Sequence, residues 1–271
     1  SLTSAQEALA TMPDKPELLL VAGQAQMLAG ETNQALATYA KLAILQPTSP
    51  IPDMRTAEVQ FATKNYEEAA KSLRKALTIK PDQLEAQRNL ILTYLASGKQ
   101  KDALLVARDV EKQRPKEATG YVLEGDIQAS QKRWAEAVTA YRTGLKLAPS
   151  TELAIRLHKS LLAAQNNVEA DKTASDWIKA HPKDLGFRLH LGDIATARKD
   201  YPAAIHQYRS VIEQQPENAL ALNNLAWASG QTKSPKAIEY AEKANKLAPN
   251  QPAFMDTLAM LMAEKGETAG A

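Results

Sequence analysis

Residues 118–149 read ATGYVLEGDIQASQKRWAEAVTAYRTGLKLAP. Apolar and small residues return every three or four positions in two stretches, which predicts two helices of about 13 residues, roughly 20 Å each. Tyr121, Glu124, Gly125 and Gln128 fall on the first helix, Trp134 marks the turn, and Ala137, Tyr141, Gly144 and Leu145 fall on the second. Pro149 ends the second helix, because proline lacks an amide donor and its ring clashes with a continuing turn.

The same stop recurs along the chain at Pro13, Pro47, Pro81, Pro115, Pro149, Pro182, Pro216 and Pro249, 33 or 34 residues apart. Alanines keep the same beat at Ala35, Ala69, Ala103, Ala137, Ala170, Ala204 and Ala237. A fixed period in this range marks stacked supersecondary units. The fold class expected is all-α, an α-α superhelix of about seven helix-turn-helix repeats with a half repeat at each end. The unbroken period argues for one elongated array with no separate domain, although 271 residues would otherwise suggest two. Residues 1–15 read as the second helix of a truncated repeat, 16–251 as seven repeats, and 252–271 as the first helix of a further truncated one.

Small residues are expected where the paired helices cross: Gly23, Ala57, Gly125, Gly192, Ala226 and Ala259 on first helices, facing the periodic alanines on second helices. A Leu or Phe there would overpack the crossing by about 1–3 kcal/mol. Gly30, Gly98 and Gly266 stand where first helices end in a left-handed residue. Pro50 and Pro52 fit a first helical turn, and Ser234-Pro235 reads as an N-cap followed by proline at the first helical position.

Composition narrows the function. Charge is nearly balanced, with 33 basic and 31 acidic residues, and basic clusters such as Lys132-Arg133 are too short to track a phosphate backbone, so no nucleic acid is expected. The absence of cysteine excludes disulfides and thiolate metal sites. No apolar run reaches the roughly 18 residues of a membrane span, the nearest being Leu18 to Leu28. No signal peptide is visible, and the chain opens with Ser1 in the middle of a repeat, as a fragment or processed product would.

The order Gly or Ala, then Ala twelve residues on, then an aromatic or small residue, then proline resembles the tetratricopeptide repeat family, with seven repeats starting near Pro16, Pro50, Leu84, Ala118, Thr151, Leu185 and Ala219. Glu124, His158 and Trp177 depart from that pattern and are expected to pack irregularly. The phrases Leu191-Gly192-Asp193-Ile194, Asn223-Asn224-Leu225-Ala226-Trp227, Ala237 to Ala244 and Asp256-Thr257-Leu258-Ala259 are similar to those of bacterial tetratricopeptide lipoproteins that accompany exosortase and PEP-CTERM sorting systems. That resemblance implies a lipid-anchored cell-envelope protein acting as a scaffold among exopolysaccharide and surface-sorting components.

The family resemblance further implies a concave groove lined by first helices, with Leu20, Gln24, Met54, Glu58, Arg88, Leu92, Val122, Asp126, Ile155, Lys159, Leu189, Asp193, Asn223 and Trp227 pointing into it. An apolar trough with a charged rim suits an extended peptide or an amphipathic helix. Met27, Phe61 and Leu95 point into the groove as well, and read as packing between repeats ahead of contact with a ligand. Asp126 and Asp193 recur at one phase and are solvated charges or a feature for a basic partner. The pairs Leu20/Gln24, Met54/Glu58 and Arg88/Leu92 do not reproduce the lysine and asparagine clamp by which some members grip a C-terminal carboxylate.

No enzymatic constellation is present. His158, His181, His190 and His206 show no metal-ligand spacing, and phosphate-cradling glycine loops and nucleophile motifs are absent. Glu67 and Glu68 fall at a helix start, where negative charge complements the dipole. No cofactor is expected. Three readings stay open: an envelope protein scaffold, a carbohydrate-binding module using Trp227, and a cytosolic adaptor attached to an enzyme.

Overall fold

A computed structural model describes residues 2–266, which form sixteen helices and no strand. They are α1 (Leu2–Thr11), α2 (Pro16–Leu28), α3 (Thr32–Leu45), α4 (Ile51–Ala62), α5 (Tyr66–Ile79), α6 (Leu84–Ala96), α7 (Gln100–Gln113), α8 (Thr119–Ser130), α9 (Trp134–Leu147), α10 (Thr151–Ala163), α11 (Asn167–Ala180), α12 (Leu185–Ala197), α13 (Tyr201–Gln214), α14 (Ala219–Gln231), α15 (Ala237–Leu247) and α16 (Pro252–Lys265). No helix among the described residues is long and apolar enough to cross a membrane.

The chain divides between Pro149 and Ser150 into two units, where the period had suggested one undivided array. In the first unit α2 pairs with α3, α4 with α5, α6 with α7 and α8 with α9, each pair stacks on the next, and α1 packs on α2. In the second, α10 pairs with α11, α12 with α13 and α14 with α15, while α16 packs on both α14 and α15. Each unit is an α-α solenoid segment. The α10–α11 pair is the most loosely packed of the seven, and α11 scarcely touches α12.

Every turn inside a helical pair closes the same way. At the first pair Glu31 N–H donates to Gln26 O at 2.8 Å, and Gly30 lies at φ +81°. Gly98 and Gly266 have φ +74° and +85°. The other five pairs place Lys64, Lys132, Gln165, Lys199 and Lys233 in this left-handed region, at φ 56–61°. A side chain there costs about 1–2 kcal/mol. The bond from the following amide, such as Asn65 to Gln60 O at 2.8 Å or Asp200 to Ala195 O at 2.9 Å, satisfies a carbonyl the helix end would otherwise leave open.

Helix starts differ between the units. None of α2 to α9 has a side-chain N-cap, whereas Ser150, Asn166, Asp184, Asp200 and Asn218 each accept a backbone N–H at the head of α10 to α14. Pro52 sits in the first turn of α4 and Pro50 just ahead of it, as expected. Ser234-Pro235 does not open α15, which starts at Ala237. Ser234 N–H is committed to Ser229 O at 2.9 Å, and Ala237 N–H bonds to Ser234 O at 3.2 Å, so the dipeptide forms a turn.

The crossings also correct the sequence reading. Gly23, Gly125 and Gly192 face Tyr39, Tyr141 and Tyr208, not alanines: a Cβ on each glycine would stand 2.4 Å from the ring. Ala35, Ala137 and Ala204 are fully buried one helical turn before those tyrosines. At the same spacing Ala57 is matched with Leu73, whereas Ile91 is matched with Ala107 and His158 with Ala174, the large residue now on the first helix. Large and small thus trade sides from one crossing to another.

Candidate functional site

In the first unit, residues of α2, α4, α5 and α6 enclose an apolar trough of about 330 Å³ lined by Met27, Ala57, Phe61, Ala62, Leu73 and Leu92, with Glu58, Asn89 and Thr93 as its polar groups. Phe61 is 39% exposed and Leu92 55%, so the trough presents real apolar surface to water. The Phe61 ring rests edge-on against Tyr66 at 5.3 Å between centroids, which holds it upright at the rim. Glu58 is ion-paired with Arg55 on α4, and that bond raises the guanidinium pKa further.

Of the groove residues expected from sequence, Glu58 and Leu92 meet in this trough. Leu20 is half-buried and Gln24 and Arg88 are exposed, outside its lining. Met54 is 2% exposed and belongs to the core with Ala57, Leu73 and Leu90, so it offers nothing to a partner. Phe61, expected to pack between repeats, instead opens onto the surface. Val122 is half-buried, as is Asp126, whose Oδ1 accepts the Tyr141 hydroxyl at 2.6 Å.

In the second unit Ile155 and Leu189 are half-buried and Lys159 is exposed. Asp193 Oδ1 accepts the Tyr208 hydroxyl at 2.8 Å and the Asn224 amide at 3.3 Å. The recurrent Gly-Asp phrase is thereby explained: glycine admits the tyrosine ring and aspartate receives its hydroxyl. Burial above all pushes the Tyr208 pKa upward, so the hydroxyl stays protonated and donates. Asn223 is 7% exposed, and its Oδ1 is buried without a partner. Trp227 is half-buried, its ring edge-on to Tyr201 at 5.6 Å, and it packs against the cluster around Tyr208 and Leu225.

Sequence spacing gave no hint of what α10 and α12 bring together. His158 Nδ1 lies 2.9 Å from His190 Nε2, with both rings buried and Phe187 within 6 Å of each. Burial lowers the pKa of both; the His158 ring and the Lys159 ammonium add to the effect at His190, which falls to about 4. Next to them the Trp177 indole N–H donates to Asp184 Oδ2 at 2.7 Å, and Asp184 Oδ1 caps α12 through Phe187 N–H at 3.0 Å. His158 and Trp177 thus pack irregularly, as their departures from the repeat pattern suggested, and they do so as one cluster.

A second acid–base feature lies in the first unit. Glu111 on α7 sits beside Glu124 on α8, which is ion-paired with Arg108 at 3.1 Å. Glu111 Oε1 is buried without a hydrogen-bond partner. Burial first, then the Glu124 charge, raises its pKa to about 7. No group of three or more His, Cys, Asp or Glu side chains among the described residues is placed to hold a metal ion.

Residues 60–123 of the first unit and 191–252 of the second each match a tetratricopeptide repeat family model. A TPR repeat-containing protein of Pseudomonas aeruginosa is 32% identical over 114 residues, 40% of this chain and 19% of that protein. Anaphase-promoting complex subunit 7 of Arabidopsis thaliana is 26% identical over 191 residues, 69% of this chain and 34% of that protein. The chain therefore spans a fifth to a third of these relatives. Among solved structures, yeast Tom70 superposes with a TM-score of 0.56 at 16% identity, over 93% of this chain and 53% of that one. A tetratricopeptide repeat protein from Parabacteroides merdae gives 0.50 at 15% identity, over 91% and 98%. Both units of this chain carry tetratricopeptide repeats.

Proposed function

We propose that the chain is a non-catalytic scaffold whose first unit grips a segment of a partner protein in the trough of α2, α4, α5 and α6. The observation that carries this reading is the exposure of Phe61 and Leu92 around an open apolar cleft edged by the Arg55–Glu58 pair. Exposed aromatic and aliphatic side chains around a concavity, ringed by charge, suit an amphipathic helix or an extended peptide with an apolar anchor. The repeat fold supports the same reading, since each pair adds surface and little chemistry.

The system it serves is proposed to be a bacterial cell-envelope apparatus for exopolysaccharide production and PEP-CTERM/exosortase protein sorting, with the intact protein lipid-anchored. The support is the set of phrases around Gly192-Asp193, Asn223 to Trp227 and Ala237 to Ala244. The test is capture from an envelope extract on the immobilised chain, beside a Phe61→Ser/Leu92→Ser variant, with the retained proteins identified by mass spectrometry. A sorting or polysaccharide-assembly protein held by the parent and lost from the variant is expected. Retention indifferent to both substitutions would remove the trough from the reading, and retention of only cytosolic proteins would remove the envelope.

A further inference from the structure

Between α11 and the α12–α13 pair the second unit opens a cleft of about 650 Å³, within the roughly 300–1,000 Å³ that holds small molecules. It lies where α11 scarcely touches α12, and Ala174 on α11 and His158 on α10 both line it.

The lining is amphipathic in a particular sense. Ile178, Leu191 and Ile194 give it an apolar surface, while Lys179 and Arg188 stand at one end and Arg198 at the other. The two arginines are weakly engaged: the bonds of Arg188 to Pro182 O and Gln207 are all 3.5 Å, and Arg198 donates to Asn167 Oδ1 at 3.3 Å. Two carboxylates oppose them, Asp171 and Asp200, and Asp200 already accepts Ala203 N–H at 3.1 Å at the head of α13. His158 is 2% exposed, and its Nδ1 is taken up by His190. The ring closes the floor of the cleft.

From this geometry we infer that the cleft is a binding site for a small organic anion, a carboxylate carrying a single ring or a short alkyl chain. Lys179 and Arg188, at the end of the cleft where α11 turns into α12, receive the carboxylate, Ile178, Leu191 and Ile194 cover the apolar body, and the His158 ring lies at the floor. Guanidinium suits this task because its planar fork matches both carboxylate oxygens.

The probes are benzoate and octanoate, with benzamide and octanamide as uncharged controls, titrated into the 271-residue chain by calorimetry and saturation-transfer NMR. Saturable binding of at least one acid, about tenfold or more tighter than its amide, is expected. The Lys179→Gln/Arg188→Gln variant, which alters an exposed and a half-buried side chain, is expected to lose about tenfold or more in affinity. The His158→Gly/Ala174→Tyr variant installs the neighbouring glycine–tyrosine pair and is expected to abolish binding by filling the cleft, and in the parent the His158 ring signals are expected to move on saturation. Absence of binding by both acids, equal affinity for acid and amide, or affinity unchanged by the Lys179 and Arg188 substitutions would each overturn the proposal.

Discussion

The α8–α9 crossing in the first unit and the α10–α11 crossing in the second come one after the other in the chain and are built the opposite way round. Gly125 receives the Tyr141 ring, whereas at the matching positions His158 carries the bulk and Ala174 is the small residue. Both bury their large residue to 3% exposure or less, so the fold tolerates the inversion. The difference is chemical. Tyrosine sends its hydroxyl out to Asp126, while the histidine ring stays inside and needs His190 to satisfy one nitrogen. A repeat protein can therefore keep its frame and change the polarity of its interior by trading sides at one crossing.

The largest test of that statement is to exchange the pairs. Tyr141→Ala is expected to cost about 3–4 kcal/mol in urea unfolding by leaving a ring-sized void. Adding Gly125→His, which moves the bulk to the first helix, is expected to recover about half of it, because the two sites share one space. If the double variant is no more stable than the single one, volume trading is not what fills these crossings.

Acid should separate the units next. His158 and His190 have folded pKa values below their ordinary 6.5, so the unfolded chain takes up protons first. Stability of the second unit is expected to be complete above pH 6.5 and to decline as pH falls toward about 4. The loss is about 2 kcal/mol once screening by water at the cleft is allowed for. Amide exchange in α10 to α12, followed by mass spectrometry, reads it locally, and exchange rates there that stay flat after correction for intrinsic chemistry would contradict the buried pair.

The first unit should respond in the other direction. Glu111 is raised to about 7, so its stabilising, protonated form is fully present below about pH 4.5 and is lost as pH rises through 7. Glu111→Gln is expected to stabilise the first unit by about 1 kcal/mol at pH 8 and by little at pH 5. An equal gain at both values would mean that the carboxyl is not held neutral.

The smallest expected effects lie at neighbouring residues in one turn. Asp200→Ala removes the cap of α13 and is expected to lower stability by about 1 kcal/mol, while Lys199→Gly relieves a side chain at φ 60° and is expected to raise it by somewhat less. Thermal unfolding of both variants measures the pair, and a shift of the same sign in the two would contradict the assignment.

Much of the frame was legible in the sequence, because its signals are local. Prolines end second helices through their own geometry, Gly30, Gly98 and Gly266 bear the left-handed turn, and helical periodicity sets the paired rods. The partner of each crossing glycine was misread for a simple reason: Ala35 and Tyr39, or Ala137 and Tyr141, lie one turn apart on the same face, and only the crossing geometry selects between them. The histidine pair was invisible because His158 and His190 sit at different positions within successive repeats, and the stacking of α12 on α10 supplies the proximity. In the trough, Leu92 and Glu58 were placed by repeat phase, but Met54 and Phe61 lie seven residues apart on one face of α4, and their opposite burial is set by how neighbouring helices cover the two ends, which periodicity does not resolve.

The left-handed turns carry an experimental consequence of their own. Lys64, Lys132, Lys199 and Lys233 stand exposed at the tips of four helical pairs, each clamped by the hydrogen bond that follows it. Trypsin requires an extended strand and cannot seat a lysine held in such a hook, so a cut at one of these positions reports the transient opening of that pair. Limited digestion would resolve into a ladder whose rungs rank those four pairs by fragility, with silent rungs at Gly30 and Gln165, whose turns offer the protease no basic residue.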